Sequence, residues 1–346
     1  MQQERELAPN IKMVLKENLL AVLSDFPLST VSSAIHNGGA KETKVIVNTQ
    51  VTKEYGDSML HEDPEKFIQL TYKKLGLPDS FVGMVTYAQV ADYALYSKSD
   101  GDLAVSVVAT AGCTHAESAG EPITLQEITG TINIIVLVDG NPIESCLASS
   151  IITATEAKTA ALQELDVRSR WSGASATGTI TDAIVIAGTG KGAEIEYGGP
   201  ASQLGQLVGW CTRKAVKEAV IKGKVGGFVP NRSITERLKE RHLSVQKLAS
   251  ELTKVKSLHA SEEAIAKALH RKLGEPAFAA AVLAAVKLDE DFKMGLNPPE
   301  LGRAGVGFGE LLSGQPVPDA DTRVCELPSF LRQVLVALLQ KALSEA

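Results

Sequence analysis

The chain has 346 residues, 44% of them apolar and 22% charged, with a net charge of −6. That composition excludes wholesale disorder, collagen-like repeats and one long coiled coil, and at about 150 residues per domain it predicts two domains with a sizeable core. Cys113, Cys146, Cys211 and Cys325 stand far apart with no C-x-x-C pair, which argues against a disulfide framework or a zinc ribbon and marks them as buried thiols in a reducing compartment.

The chain opens on an acidic segment with no basic n-region before an apolar run, so no secretory signal is expected and the cytoplasm is the default location. Strands are expected at Leu28–Ile35 and Lys44–Val51, then helices at Pro64–Leu75 and Thr86–Leu95. Strands at Asp102–Ala111 and Gly130–Val138 follow; the apolar run Ile134–Val138 has strand length and falls far short of a membrane span. Helix Glu144–Leu165, strands Thr179–Ala187 and Ala193–Tyr197, and helix Ala201–Val220 complete the region. Strands that succeed one another without a helix between them predict an α+β fold, a mixed or antiparallel sheet layered with helices.

After Gly223 the sequence turns to Leu, Ala, Lys and Glu, and the glycine-rich stretch Gly223–Pro230 reads as a linker. The expected domains are residues 1–224 and a helical C-terminal appendage, 225–346. Ile234, Leu238, Val245, Leu248, Leu252 and Val255 form a helical stripe, followed by helices at Ala264–Leu273, Ala277–Val286 and Leu327–Ala346 around a Gly/Pro-rich span, Gly295–Asp321. Between Thr212 and Gly274 there are 15 Lys or Arg against 6 Asp or Glu, a local +9 that leaves −15 elsewhere. Only Phe228 is aromatic there, so there is no stacking platform and no nucleic-acid partner is expected. The near-heptad spacing instead suits a helix-to-helix contact, within the chain or in a homo-oligomer.

Gly188-Thr189-Gly190-Lys191-Gly192 lacks the phosphate-loop spacing and reads as a hairpin turn. His115-Ala116-Glu117 matches half of a zinc-deaminase signature, without its cysteine partner; no H-E-x-x-H pair and no G-x-S-x-G elbow is present. No resident metal or cofactor is expected. A denser cluster runs from Ala154-Thr155-Glu156-Ala157-Lys158-Thr159 to Ser172–Asp182. Glu156 and Lys158 lie in an otherwise apolar helix, so burial of that helix is expected to take the carboxylate with it and fit it for proton transfer. The loop Ser172-Gly173-Ala174-Ser175-Ala176-Thr177-Gly178-Thr179 gathers hydroxyls and amides that suit either an oxyanion or a Ser/Thr-rich strand edge. Ser32–Gly39 is a turn signal first and a ligand-approach loop second.

Taken in order, Ser32–Gly39, Ile46–Val51, Gly83–Ala88, Val107–Ala119, Gly130–Asn133, Ala154–Leu162 and Ser172–Ala183, with Tyr197-Gly198-Gly199, resemble the adenosylcobinamide amidohydrolase family over residues 24 to 222. The resemblance implies hydrolysis of the amide between the aminopropanol arm and the corrin ring of adenosylcobinamide in vitamin B12 salvage, with the corrinoid and its cobalt as substrate. Within those stretches Glu156 is the expected base for water. Thr177 and Thr179, with Asn37, are the expected oxyanion donors, and Lys158 and Asp182 their supports. A Ser172, Thr177 or Thr179 nucleophile is the rival mechanism. Ser33, Asn37, Gly38, Gly39, Asn48, Thr86, His115 and Asn133 are the expected corrinoid contacts. Thr114-His115 departs from the Ser-Asn more usual there, and the segment after Gly223 has no counterpart. The competing class is a non-catalytic corrinoid- or nucleotide-binding protein with a helical tail.

Overall fold

The computed structural model describes residues 2–51, 80–123, 130–223, 230–298, 300–301, 307, 309–311, 314 and 325–344. It divides into two compact units, residues 1–230 and 231–346. The expected helix Pro64–Leu75 and most of the Gly295–Asp321 span lie outside the described residues.

The first unit is built, among the described residues, on one nine-stranded mixed sheet and two short two-stranded ladders. Its strands begin β1 (Gln2–Ala8), β2 (Ile11–Lys16), β3 (Leu19–Ser32), β4 (Gly39–Gln50) and β5 (Val82–Thr86). They continue with β6 (Ala94–Asp100), β7 (Leu103–Ala111), the short β8 (Ala116–Glu117) and β9 (Ile132–Asp139). The last are β10 (Asn141–Pro142), β11 (Gly178–Thr179), β12 (Ala183–Gly188) and β13 (Glu194–Ile195), with helices α1 (Glu144–Glu164) and α2 (Gln203–Lys222). The main sheet runs β1-β2-β3-β12-β9-β7-β6, with β4 and β5 continuing from β3. β9 and β12 are parallel, as are β4 and β5, and the other neighbours in this sheet are antiparallel. The two ladders pair β8 with β11 and β10 with β13.

β7, β9 and β12 are buried along almost their whole lengths, which is why they read as continuous β-branched runs rather than as alternation. One face carries α1 and α2: Val105, Val107, Ile134, Val136 and Ile186 pack with Leu147, Ala154, Leu207 and Val216. On the other face, Ile135, Leu137 and Val185 pack with Ile11, Met13, Leu20, Ile46 and Met84. Ile11, Met13, Ile46 and Met84 belong to strands that are not neighbours of β9 or β12, and Leu20 to the half of β3 that does not pair with β12, so the sheet folds over itself into two plies. β3 makes the fold. Its first half pairs with β2 and its second with β12, and the register with β4 shifts between Leu23 and Leu28, where Pro27 cannot donate to a ladder.

The expected α+β class holds, and so do helices at α1 and α2. The expected helix Thr86–Leu95 is corrected: Thr86 ends β5, Val90–Asp92 is a single 3-10 turn and Ala94 starts β6. Val90 and Tyr93 are drawn into the inter-ply core, and that burial overrides the helix preference of the segment's alanines. β1 and β2, with the first half of β3, form strands where none was expected.

The second unit holds α3 (Ile234–Glu240), α4 (Val245–Leu252), α5 (Glu262–Lys272), α6 (Pro276–Lys293) and α7 (Ser329–Ser344) around a core of its own, including Leu238, Leu248, Ile265, Val282, Leu331 and Leu335. The stripe expected as one helix is broken into α3 and α4. His242 has φ +60° and Ser244 caps α4 through the Lys247 N–H, so the chain turns between the two apolar turns. Asp289 on α6 accepts the Phe330 and Leu331 N–H groups at 2.9 and 2.8 Å, capping α7 from a neighbouring helix.

Candidate active site

The ends of β9 and β12, the loop after β7 and the buried side of α1 converge on Asp182. Its Oδ2 accepts the Lys158 ammonium at 2.5 Å and the Thr179 N–H at 3.0 Å. Oδ1 accepts the Ile132 N–H at 2.9 Å and the Thr179 hydroxyl. A carboxylate offers about four lone-pair sites, and all are taken, so Asp182 anchors the cluster. Gly178 leaves room for the pair: a Cβ there would stand 2.6 Å from Asp182 Oδ2 and 2.7 Å from Lys158 Nζ, so the two side chains would have to shift.

Glu117 provides the complementary group. It sits on β8, which pairs with β11 so that Glu117 opposes Gly178 and Ala116 opposes Thr179. Thr177 closes the same edge, its N–H on the Glu117 carbonyl at 2.8 Å and its hydroxyl accepting the Ala119 N–H at 2.9 Å. The Glu117 carboxylate is half-buried and, among the described residues, accepts no hydrogen bond. Burial raises its pKa above the ordinary 4.5, the Asp182 and Glu121 charges raise it further, and Lys158 opposes them. A half-desolvated carboxylate with a raised pKa beside a fixed ammonium suits general-base chemistry. Cys113 faces the same charges, and burial together with Asp182 pushes its thiol up to about 12, so a thiolate nucleophile is disfavoured.

His115 is buried next to Ala116. Its Nε2 lies 2.7 Å from the Arg170 guanidinium and its ring centroid 5.9 Å from that of Trp171. Guanidinium nitrogens only donate, so Nε2 is the acceptor in this contact. Ser169 donates to Glu121, and the Arg170 N–H bonds the Ala116 carbonyl at 3.0 Å, tying the 167–176 loop to β8.

The sequence-derived candidates divide accordingly. Lys158, Thr177, Thr179, Asp182 and His115 come together with Glu117. Glu156 does not, and the expectation of a buried carboxylate is corrected: its side chain is exposed and lines a cleft of about 490 Å³ between α1 and α2, with Trp210 and Arg213. Residues two apart on a helix point about 200° apart, so burying Lys158 turns Glu156 outward. Ser172 is exposed and accepts the Ala174 N–H within its own loop. Ser33 accepts the Ile184 N–H at 3.0 Å as part of the β3 to β12 edge. Asn37 donates to the Phe81 carbonyl at 2.9 Å and to His36 Nε2 at 3.0 Å, leaving its amide committed to the turn that Gly38 and Gly39 complete. Thr86 is fully buried and accepts the Ala88 N–H. Asn48 and Asn133 bond each other between the plies at 2.8 Å. Among the described residues no three His, Cys, Asp or Glu side chains gather as metal ligands, and no helix is long and apolar enough to cross a membrane.

Glu117 is a site candidate that sequence reasoning misses: in the sequence it stands only within His115-Ala116-Glu117, half of a metal motif.

Comparison with known proteins adds a family. Residues 4–225 match the adenosylcobinamide amidohydrolase family. An adenosylcobinamide amidohydrolase of Methanosarcina mazei is 29% identical over 223 residues, covering 62% of this chain and 96% of the relative. An uncharacterized protein of Methanocaldococcus jannaschii is 29% identical over 206 residues, 53% of this chain and 79% of the relative. The L-aminopeptidase D-Ala-esterase/amidase of Ochrobactrum anthropi, described as a variant of the Ntn hydrolase fold, aligns at a TM-score of 0.33 and 12% identity, covering 70% of this chain and 91% of that one. A likeness that weak carries no argument.

Proposed function

The chain belongs to the adenosylcobinamide amidohydrolase family, and from that premise we propose that it hydrolyses the amide joining the aminopropanol arm to the corrin ring of adenosylcobinamide. The products are adenosylcobyric acid and 1-amino-2-propanol, and the setting is corrinoid salvage in the cytoplasm. The corrinoid is the substrate and its cobalt travels with it; the reaction asks for no resident metal or cofactor.

Amide hydrolysis needs a base for water, a counter-charge for the oxyanion and a proton for the departing amine. Glu117 takes a proton from water as its oxygen adds to the amide carbon. The oxyanion develops toward the Lys158 ammonium, which Asp182 holds in place. When the C–N bond breaks, the proton stored on Glu117 passes to the amine nitrogen. The single observation that carries this reading is the Glu117 carboxylate, unbonded among the described residues, beside the Lys158–Asp182–Thr179 cluster and within the residues that match the family.

The Thr179 hydroxyl donates to Asp182, which favours one rival, attack by Thr179 Oγ1 through an ester intermediate. Incubation with adenosylcobinamide, followed by mass spectrometry for 1-amino-2-propanol, tests the function. Binding without release would leave a corrinoid-binding protein, and neither would sink the reading. Trapping a corrinoid ester on Thr179 would select the rival mechanism.

A further inference from the structure

Asn48 stands on β4 and Asn133 on β9, strands that are not neighbours in the sheet, and they meet between its two plies. Asn133 Nδ2 donates to Asn48 Oδ1 at 2.8 Å and to the Val85 carbonyl of β5 at 2.8 Å. Asn48 Nδ2 donates to Thr110 Oγ1 on β7 at 2.8 Å, and Thr110 is the cross-strand partner of Asn133. The three side chains are 2%, 1% and 1% exposed. Every polar hydrogen used in this chain of bonds serves to tie β9 and β7 to the outer ply.

What it ties down is the start of β9. Ile132, the residue before Asn133, gives its N–H to Asp182, and Gly130 accepts from Thr179 at 3.4 Å and Thr181 at 3.2 Å. Thr131 and Thr181 share a hydrogen bond at 2.6 Å. The segment that seats Asp182 is therefore continuous with the clamped residue. Asn133 Oδ1 is buried and has no hydrogen-bond partner among the described residues. An apolar side chain would avoid that desolvation penalty, so stability alone does not account for an asparagine here; what its amide group does with Nδ2 does.

We propose that Asn48, Asn133 and Thr110 form an inter-ply clamp that positions the Gly130–Ile132 segment, and through it Asp182 and Lys158, rather than contacting the corrinoid. The inference rests on the functional reading above for its kinetic consequence, and on geometry alone for its structural one. A residue that positions the reacting groups is felt in kcat; one that only holds substrate is felt in KM.

Thr110→Val keeps the shape and removes the acceptor, whereas Thr110→Ser keeps the acceptor. With adenosylcobinamide, Thr110→Val is expected to lose about tenfold or more in kcat with KM within about twofold, because small misplacements of a catalytic group are costly. Thr110→Ser restores most of it. Asn133→Ala, checked for folding by near-ultraviolet circular dichroism, should behave as Thr110→Val does. A rise in KM at constant kcat would make these residues corrinoid contacts and overturn the clamp, as would unchanged kinetics in a folded Thr110→Val. A second readout needs no substrate: the alkylation rate of Cys113, followed by peptide mapping, reports on Asp182 beside it. The clamp predicts a changed rate in Thr110→Val and a wild-type rate in Thr110→Ser. If wild-type protein releases no aminopropanol, the functional reading fails while the Cys113 rates still decide the clamp.

Discussion

Lys158 and Asp182 meet at 2.5 Å with side chains only 9% and 10% exposed. A pair this buried stabilises little as a pair, because each ion gives up its hydration, but losing one member strands the other in a medium of low polarity. Lys158→Met or Asp182→Asn should therefore each cost about 3–5 kcal/mol in urea denaturation and abolish turnover. The double substitution Lys158→Met with Asp182→Asn should recover much of that stability and none of the activity. Single variants as stable as wild type would show that the pair is open to water.

Glu117 sets a different expectation. Glu117→Gln should lower kcat by about 10²- to 10⁴-fold, the range of general-base catalysis, with the melting temperature nearly unchanged. Glu156→Gln, on the exposed side of α1, should stay within about twofold of wild type on the same scale. The reverse ordering of the two variants would return the base to α1.

The raised pKa of Glu117 also fixes the sense of two pH effects. The folded state binds this proton more tightly than the unfolded chain, so the contribution to stability is full below the ordinary value of 4.5 and is lost as pH rises through the folded value. Activity runs the other way, since the base form appears only above the folded value. The acid limb of kcat/KM should lie above the range of an ordinary glutamate and disappear in Glu117→Gln. A limb at or below 4.5 in the wild type would contradict the burial that raises it.

How much of this was legible in the sequence depends on where the determining contacts lie. β7, β9 and β12 announce themselves because both of their faces are buried and a continuous apolar run follows directly. β1 and β2 carry their hairpin turns on Asn10 and Glu17, at φ +66° and +52°; the first is a readable turn residue and the second is not. The segment Thr86–Leu95 misleads because its strands are imposed by the opposite ply, which no local preference encodes. In the site, the Ser172–Asp182 cluster points to the correct region, but its density of hydroxyls suggests a nucleophile where Ser172 and Thr177 mainly satisfy loop amides. Glu156 and Lys158 could have been separated by helical spacing alone. Glu117 could not, because its partners Asp182 and Lys158 lie 65 and 41 residues away in the sequence and meet it only through the β8 to β11 ladder.

Cys113 lies against the same charges, and its thiol is pushed up to about 12 by burial and by Asp182. Native protein should therefore resist iodoacetamide at Cys113 near pH 8 and keep its activity, and Cys113→Ser should retain turnover within about threefold. Rapid alkylation at pH 8 with loss of activity would reopen the case for a thiolate nucleophile.

Glycine substitutions separate close approach from backbone freedom. At Gly178 the constraint is space: an added methyl would stand 2.6 Å from Asp182 Oδ2 and 2.7 Å from Lys158 Nζ, within contact distance of both members of the buried pair. Gly178→Ala should force that pair apart and cost activity about as heavily as Lys158→Met, with a smaller loss of stability because both charges remain. At Gly190 the space is open and only the backbone, at φ +71°, objects; alanine there should cost about 1–2 kcal/mol and leave turnover unchanged. Parallel melting curves and rates for the two variants make the comparison. An active Gly178→Ala would mean that Lys158 and Asp182 can separate without consequence, and with that the ammonium would lose its place opposite the oxyanion.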